Sequence, residues 1–429
     1  MGKRVPASAK TRKRIEELMS GRSVSADPKS EILRLATRLV LEEAGDAEAR
    51  EAVGREYYRH GGGRGHRNGY RSAQLESAEG AIEFAVPQVR GIAGWRSQVR
   101  EALAGRTEEL EQLAIEMYAR GLSVRDIEAA FTDRAGRCVL TRTAVSELTE
   151  RLWGDYQAFT QRDLSEHRVL YLFVDGLAER IHLGQPREPV LAAWAITISG
   201  HKVLLGLAPA SKEDTASCRD FLRDLKARGL TDPVLVITDG APGLIRAAEE
   251  VFPRSARQRC LAHKIRNLEQ KVPAERWREV KAQAFAAYTA GSLATAHLLR
   301  EEFVKRFERE LPSATTCFLD DFEACIAHLR VPIAHRRAVR TTNLLERLFG
   351  EERRRTKIIP HAFGERAVLK LMYASLLRAS VGWRRVVVSE FELKQLEELK
   401  TELDENFKSR TAQAVHVASR QRIYSKDRT

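Results

Sequence analysis

Two aspartates in this 429-residue chain stand in matching contexts. Asp175 follows the apolar run Tyr171-Leu-Phe-Val174, Asp239 follows Val234-Leu-Val-Ile-Thr238, and a glycine comes next in both cases. An acid at the end of a buried strand sits at a rigid, partly dehydrated lip of a sheet, and two such strands side by side bring carboxylates within bridging distance. Like charges that close call for divalent cations between them. Magnesium suits an all-oxygen donor set, and two ions roughly 3.5 to 4 Å apart serve both the attacking and the leaving oxygen of a phosphoryl transfer. A third acid, Glu346, opens a run in which Gly350, Arg353, Arg354 and Lys357 recur near one face at helical spacing, with Arg355 beside them. A basic stripe next to a carboxylate suits a nucleic-acid backbone.

Each acid also admits a purely structural role. Asp175-Gly176 has the composition of a tight hairpin turn. Asp239 can cap the helix into which Asp239-Gly-Ala-Pro-Gly leads, a role compatible with metal ligation. Asn343-Leu-Leu-Glu346 has the form of a capping box, and the stripe downstream of it can be a solvated charged face.

The elements that must hold these residues follow from composition and periodicity. The length and a 43% apolar content leave material for two or three cores. Seventy-two Lys and Arg against 59 Asp and Glu give a surplus of +13, which favours a polyanionic partner, with nucleic acid first. The longest apolar stretch, Val190 to Ile198, is well short of the roughly 18 residues a membrane helix needs. The basic segment Met1 to Glu16 leads into no apolar run of the kind a secretory signal carries. Five cysteines, Cys138, Cys218, Cys260, Cys317 and Cys325, are odd in number and irregular in spacing, as in a reducing compartment. These features predict a cytoplasmic, nucleoid-associated protein.

From Pro28 to Arg59 apolar residues recur at helical spacing and then give way to the glycine run His60 to His66. Ala73 to Val89 alternates around Ala78-Glu79-Gly80, which predicts a hairpin. Thr107 to Trp153 resembles a helix-turn-helix unit: Leu110 to Ala119 form one helix, Gly121 stops it, and Ser123 with Asp126 makes a capping box for the next. In a third helix from about Thr143, Val145, Leu148 and Leu152 face inward and leave Arg142, Thr143, Ser146 and Glu147 outward, where base edges can be read. An ordinary helical spacer has the same pattern. After Gln161 come strands over 169–174, 190–198 and 203–207, a helix over 217–228 and a strand over 233–238, an α/β signature. Residues 265–340 read as an all-helical insertion. The expected organisation is therefore an N-terminal helical region with a hairpin (1–95), a DNA-binding unit (96–160), an α/β core (161–264) split by the insertion (265–340) and resumed at 341–385, and a helical, basic tail (386–429).

Taken together, Leu172-Phe-Val-Asp-Gly176, Thr238-Asp-Gly240, Gln258-Arg-Cys-Leu-Ala-His-Lys-Ile-Arg-Asn267 and Thr341-Thr-Asn-Leu-Leu-Glu346 resemble, in this order, the Mutator-type transposases of bacterial insertion sequences. Arg67-Asn-Gly-Tyr-Arg71 looks like an N-terminal signature of the same family. The resemblance implies a ribonuclease-H-like mixed sheet interrupted by a helical insertion, with Asp175, Asp239 and Glu346 as catalytic acids holding two Mg2+ ions, for which Mn2+ can substitute. The following stretch, Arg347-Leu-Phe-Gly-Glu-Glu352, departs from the commoner version and makes Glu351 and Glu352 rival acids. Cys260 and His263 match the family's Cys-x-x-His element; they are half a tetrahedral zinc site and read better as active-site wall. His263, Lys264 and Arg266 are placed to touch phosphate, as are Arg353, Arg354, Arg355 and Lys357. The implied partners are double-stranded DNA, as transposon ends and target, and a second copy of the chain, since two ends must be synapsed. A ribonuclease-H-like structure-specific nuclease would use the same acids, and a DNA-binding regulator would keep only the helix-turn-helix.

Overall fold

The computed structural model describes residues 5–426 except 23, 26, 57–64, 104, 133–137, 180, 183–185, 211–213 and 343–363. The chain divides into two compact units, Met1–Arg151 and Leu152–Thr429.

In the first unit, α1 (Ala7–Met19) packs on α2 (Pro28–Val53), whose start is set by Pro28 in the first turn and by Asp27 accepting from the Ser30 amide. The hairpin falls where alternation places it: β1 (His66–Ser77) pairs antiparallel with β2 (Gly80–Arg90) from Ser77 opposite Gly80. Leu75, Ile82, Phe84 and Val86 are its buried face. The Arg67–Arg71 signature lies within β1, at an irregularity of register where Gly69 has φ +83°. Two acids of α2 tie the layers together. Glu42 accepts from the Thr11 hydroxyl, the Arg38 guanidinium and the Ala85 amide, and Asp46 accepts from Ser8 and Tyr70. Burial raises the Asp46 carboxyl above its ordinary value.

A short α3 (Gln98–Ala102) and β3 (Gly105–Arg106) lead to α4 (Glu108–Ala119), α5 (Val124–Ala130) and α6 (Arg142–Gln161), of which the part from Leu152 onward belongs to the second unit. Gly121 takes φ +92° after α4, and both halves of the Ser123–Asp126 capping box are formed. Ala114, Ile127, Leu140, Val145 and Leu148 make the small core between the three helices.

In the second unit the α/β signature becomes a five-stranded sheet, β4 (Val169–Glu179), β5 (Glu188–Thr197), β6 (Lys202–Pro209), β7 (Leu235–Thr238) and β8 (Ala256–Arg259), in the order β6-β5-β4-β7-β8. β4, β5 and β6 are antiparallel neighbours, whereas β7 and β8 run parallel to β4. Near-continuous apolar runs in β4 and β5 follow from a sheet covered on both faces. On one face Leu172, Val174 and Val236 meet α7 (Thr215–Ala227) and α8 (Pro242–Val251). On the other, Tyr171, Phe173, Leu235 and Ile237 share a core with residues of the helices that follow the insertion. β8 carries the sequence Ala-Arg-Gln-Arg, without the apolar alternation that marks strands, and only its register beside β7 defines it.

The insertion is helical throughout its described residues: α9 (Leu261–Glu269), α10 (Ala274–Tyr288), α11 (Leu293–Phe307), α12 (Pro312–Leu319), α13 (Phe322–Ile326), a 3-10 turn (Ala327–Arg330) and α14 (Ile333–Val339). Tyr288, Phe303, Phe307 and Phe318 centre its own core. Next come α15 (Glu365–Val381) and α16 (Glu390–Lys426), separated by an irregular stretch at 382–389. α16 is not merely a tail, since Leu396, Leu399 and Leu403 are buried in the core of the sheet. No described helix is long and apolar enough to cross a membrane, and all five cysteines are free thiols.

Candidate active site

Asp175 stands inside a strand, not at its end. β4 continues through Glu179, with Asp175 opposite Ala192 of β5, so neither a strand terminus nor a tight Asp-Gly turn describes the position. Antiparallel pairing to β5 carries the chain past the point where the apolar run stops. What does end at Val174 is the pairing to β7: Val174 and Thr238 are the last partners of that parallel ladder. The next residues along the two chains are Asp175 and Asp239, so each acid directly follows the last rung of a ladder whose chains run about 4.8 Å apart. Asp175 keeps the parity of Tyr171, Phe173 and Leu177 and is 3% exposed.

Asp239 lies one residue beyond β7. Its Oδ1 accepts from the Ala241 amide at 2.9 Å and so braces the turn; the N-cap of α8 is Ala241, not Asp239. Gly240 takes φ +97° in this turn, and the Arg259 guanidinium packs where a side chain would stand: a Cβ on Gly240 would lie 2.5 Å from Arg259 Nε. Arg259, opposite Thr238 at the end of β8, is held through Nη1 by Asp320 Oδ2 at 2.6 Å. Arg257 grips Asp321, which has φ 60°, in a two-pronged ion pair, so β8 is fastened to the α12–α13 corner at both neighbouring acids. The buried Gln258 extends the attachment by accepting from the His328 amide at 2.7 Å and donating to the Cys325 carbonyl at 3.0 Å.

Cys260 follows directly. Its amide donates to the Thr238 carbonyl at 2.7 Å, and its buried sulfur receives the amide and hydroxyl of Thr342 at 3.3 and 3.5 Å. Burial pushes the thiol up, but hydrogen bonds from His263 and Thr342 outweigh it and leave the group below its ordinary value. The Cys-x-x-His element thus fastens the chain just ahead of the segment that carries Glu346. On that segment's far side the Gly364 amide donates to the Ile181 carbonyl at 2.8 Å, beyond the end of β4. Among the described residues no group of three or more His, Cys, Asp and Glu is placed to hold a metal ion. Glu346, the rivals Glu351 and Glu352, and Arg353, Arg354, Arg355 and Lys357 lie outside the described residues.

The expected phosphate contacts part company. Arg266 is exposed on α9, but Lys264 is fully buried, with Nζ donating to the Asp320 carbonyl and lying 3.5 Å from its carboxylate. Burial lowers the Lys264 ammonium below its ordinary value. It is a strut between α9 and the α12–α13 corner, and the helical period that set it beside Arg266 carried no information about that corner. In the first unit, Arg142, Thr143, Ser146 and Glu147 are exposed while Val145 and Leu148 are buried, as the periodicity predicts. Arg142 forms an ion pair with Glu128 at 2.9 Å. Sequence reasoning gave Arg259 no role, although it stands directly before Cys260 in the Gln258 to Asn267 stretch that carries the resemblance.

A family model described as "Transposase, Mutator family" matches residues 9–386. The transposase for insertion sequence element IS6120 of Mycolicibacterium smegmatis is 32% identical over 271 residues, 63% of this chain and 84% of that protein. The transposase for ISRM5 of Rhizobium meliloti is 28% identical over 354 residues, covering 82% and 88%. The transposase for IS256 in transposon Tn4001 of Staphylococcus aureus is 28% identical over 336 residues, covering 77% and 85%.

Proposed function

The chain belongs to the Mutator family of transposases, and we propose that it moves an insertion sequence by gripping its terminal inverted repeats and cutting and rejoining DNA at Asp175, Asp239 and Glu346. The observation that carries the proposal is the parallel register ending at Val174 and Thr238, each of which is followed directly by an aspartate. The sheet order β6-β5-β4-β7-β8, with a helical insertion entering after β8, supports a ribonuclease-H-like core.

The donor chemistry fits a hard divalent cation: two carboxylates, one within β4 and one just past the end of the adjacent β7, the first of them nearly dehydrated. Asp175, Asp239 and Glu346 would hold a pair of Mg2+ ions, or Mn2+ in their place, which when bound supply charge neutralisation to both oxygens of an in-line displacement at phosphorus. The chain's own part is positional. β4 fixes Asp175 in its ladder to β5, one residue past the last rung to β7, and the Ala241 amide orients Asp239. The ties of Thr342 to Cys260 and of Gly364 to Ile181 bring both flanks of the Glu346 segment to the end of the sheet where the aspartates stand. In the first unit the exposed Arg142, Thr143 and Ser146 would meet the inverted repeats, while Arg266, Arg353, Arg354, Arg355 and Lys357 would hold phosphates. Two ends call for at least a dimer when synapsed.

A labelled terminal-repeat duplex incubated with plasmid and Mg2+ tests this. The expected product is the end joined to plasmid through its 3′-hydroxyl, absent with Asp239→Asn. Cleavage without joining would favour a structure-specific nuclease, and an Asp239→Asn variant that still joined ends would overturn the reading.

A further inference from the structure

Arg259 is 7% exposed, and a buried arginine is costly unless its hydrogen bonds are made. One is made, from Nη1 to Asp320. Nε is buried and, among the described residues, has no hydrogen-bond partner, and the same holds for the hydroxyl of Thr238, its partner in the β7–β8 register. Nε, Cζ and Nη2 instead crowd Gly240, at 2.5, 3.0 and 3.2 Å from where its Cβ would be. A glycine at φ +97° is the softest point of the turn that carries Asp239, and the guanidinium fills the space into which that turn would relax. An apolar side chain would fill the same space without the desolvation cost. What the arginine adds is a rigid reach from the turn to the insertion, because Asp320 belongs to the α12–α13 corner.

We propose that Arg259 is a positioning residue for Asp239: it props the Asp239–Gly240 turn, and through Asp320 it makes the placement of that carboxylate depend on the helical insertion. The inference rests on the metal-binding role proposed for Asp239. Residues that orient metal ligands without touching the ion typically change metal affinity 10- to 100-fold. The test uses the full chain and two readouts that do not involve turnover: Mn2+ binding, followed by the electron paramagnetic resonance of the free ion, and amide exchange at residues 238–242. Arg259→Gln is expected to weaken Mn2+ binding by roughly tenfold or more and to speed exchange in the turn. Arg259→Lys should fall between it and the parent, and Asp320→Asn, altered at an exposed carboxylate, should shift both readouts the same way by less. If Arg259→Gln lowers the unfolding temperature but leaves Mn2+ affinity and exchange in the turn unchanged, the arginine is only structural and the proposal is wrong. If Arg259→Gln does not fold, Asp320→Asn decides, and unchanged binding in that variant overturns the proposal. Unchanged Mn2+ binding in both Asp175→Asn and Asp239→Asn would instead remove the metal reading itself.

Discussion

The two aspartates each follow the last rung of the β4–β7 ladder but are held in opposite ways. Asp175 sits within an eleven-residue strand, paired on one side to β5 and reached on the other by the last rung of β7. Below it Phe173 stacks on Trp194 with ring centroids 3.7 Å apart. Asp239 stands past the end of a four-residue strand, on a turn whose glycine is backed by an arginine from the polar edge strand β8. The first carboxylate is fixed by a ladder and a core, the second by a chain of side-chain contacts that runs out to the insertion. Local opening follows the density of such contacts, so the Asp239 side is the one expected to yield first.

The largest effect probes what the two share. If both acids hold metal, Asp175→Asn and Asp239→Asn should each reduce end cleavage by about 10³-fold, the equivalent of the several kcal/mol a metal centre contributes. A variant losing less than tenfold would show that its acid is not a ligand. Next comes the ladder side: Phe173→Ala should cost roughly 3 to 5 kcal/mol in urea unfolding, as the loss of a fully buried aromatic does. A cost below 1 kcal/mol would contradict the core placement of β4.

Acid should separate the sides. Burial lowers the imidazole of His328, on the turn that fastens β8, to about 4. Because the fold holds this group neutral, its contribution is complete above the unfolded value near 6.5 and is lost as pH falls toward 4, on the order of 3 kcal/mol in all. Amide exchange, corrected for its intrinsic pH dependence, should therefore rise at 256–259 and 327–330 before it rises in β4; the reverse order would break the comparison. The smallest effect is at Cys260, where Ala should cost roughly 1 kcal/mol by releasing the Thr342 amide. In the parent, alkylation of this buried thiol should require opening of the tie, so Thr342→Ala should accelerate it; an unchanged rate would mean that Thr342 does not guard the sulfur.

The sequence alone determined whatever local pattern encodes. Apolar runs marked β4, β5 and β7, alternation marked the β1–β2 hairpin, and the Ser123–Asp126 box marked the start of α5, because face and capping are properties of neighbouring residues. The matched strand–acid–glycine contexts singled out Asp175 and Asp239 for the same reason. Only the tertiary structure decided that Val174 meets Thr238, that β4 runs on past Asp175, that the polar stretch at 256–259 is a strand, and that Lys264 turns inward to Asp320. Each of these depends on a partner distant in the chain: strand pairing is a non-local choice, and a buried cation is tolerated only where a carboxylate or carbonyl from another element meets it.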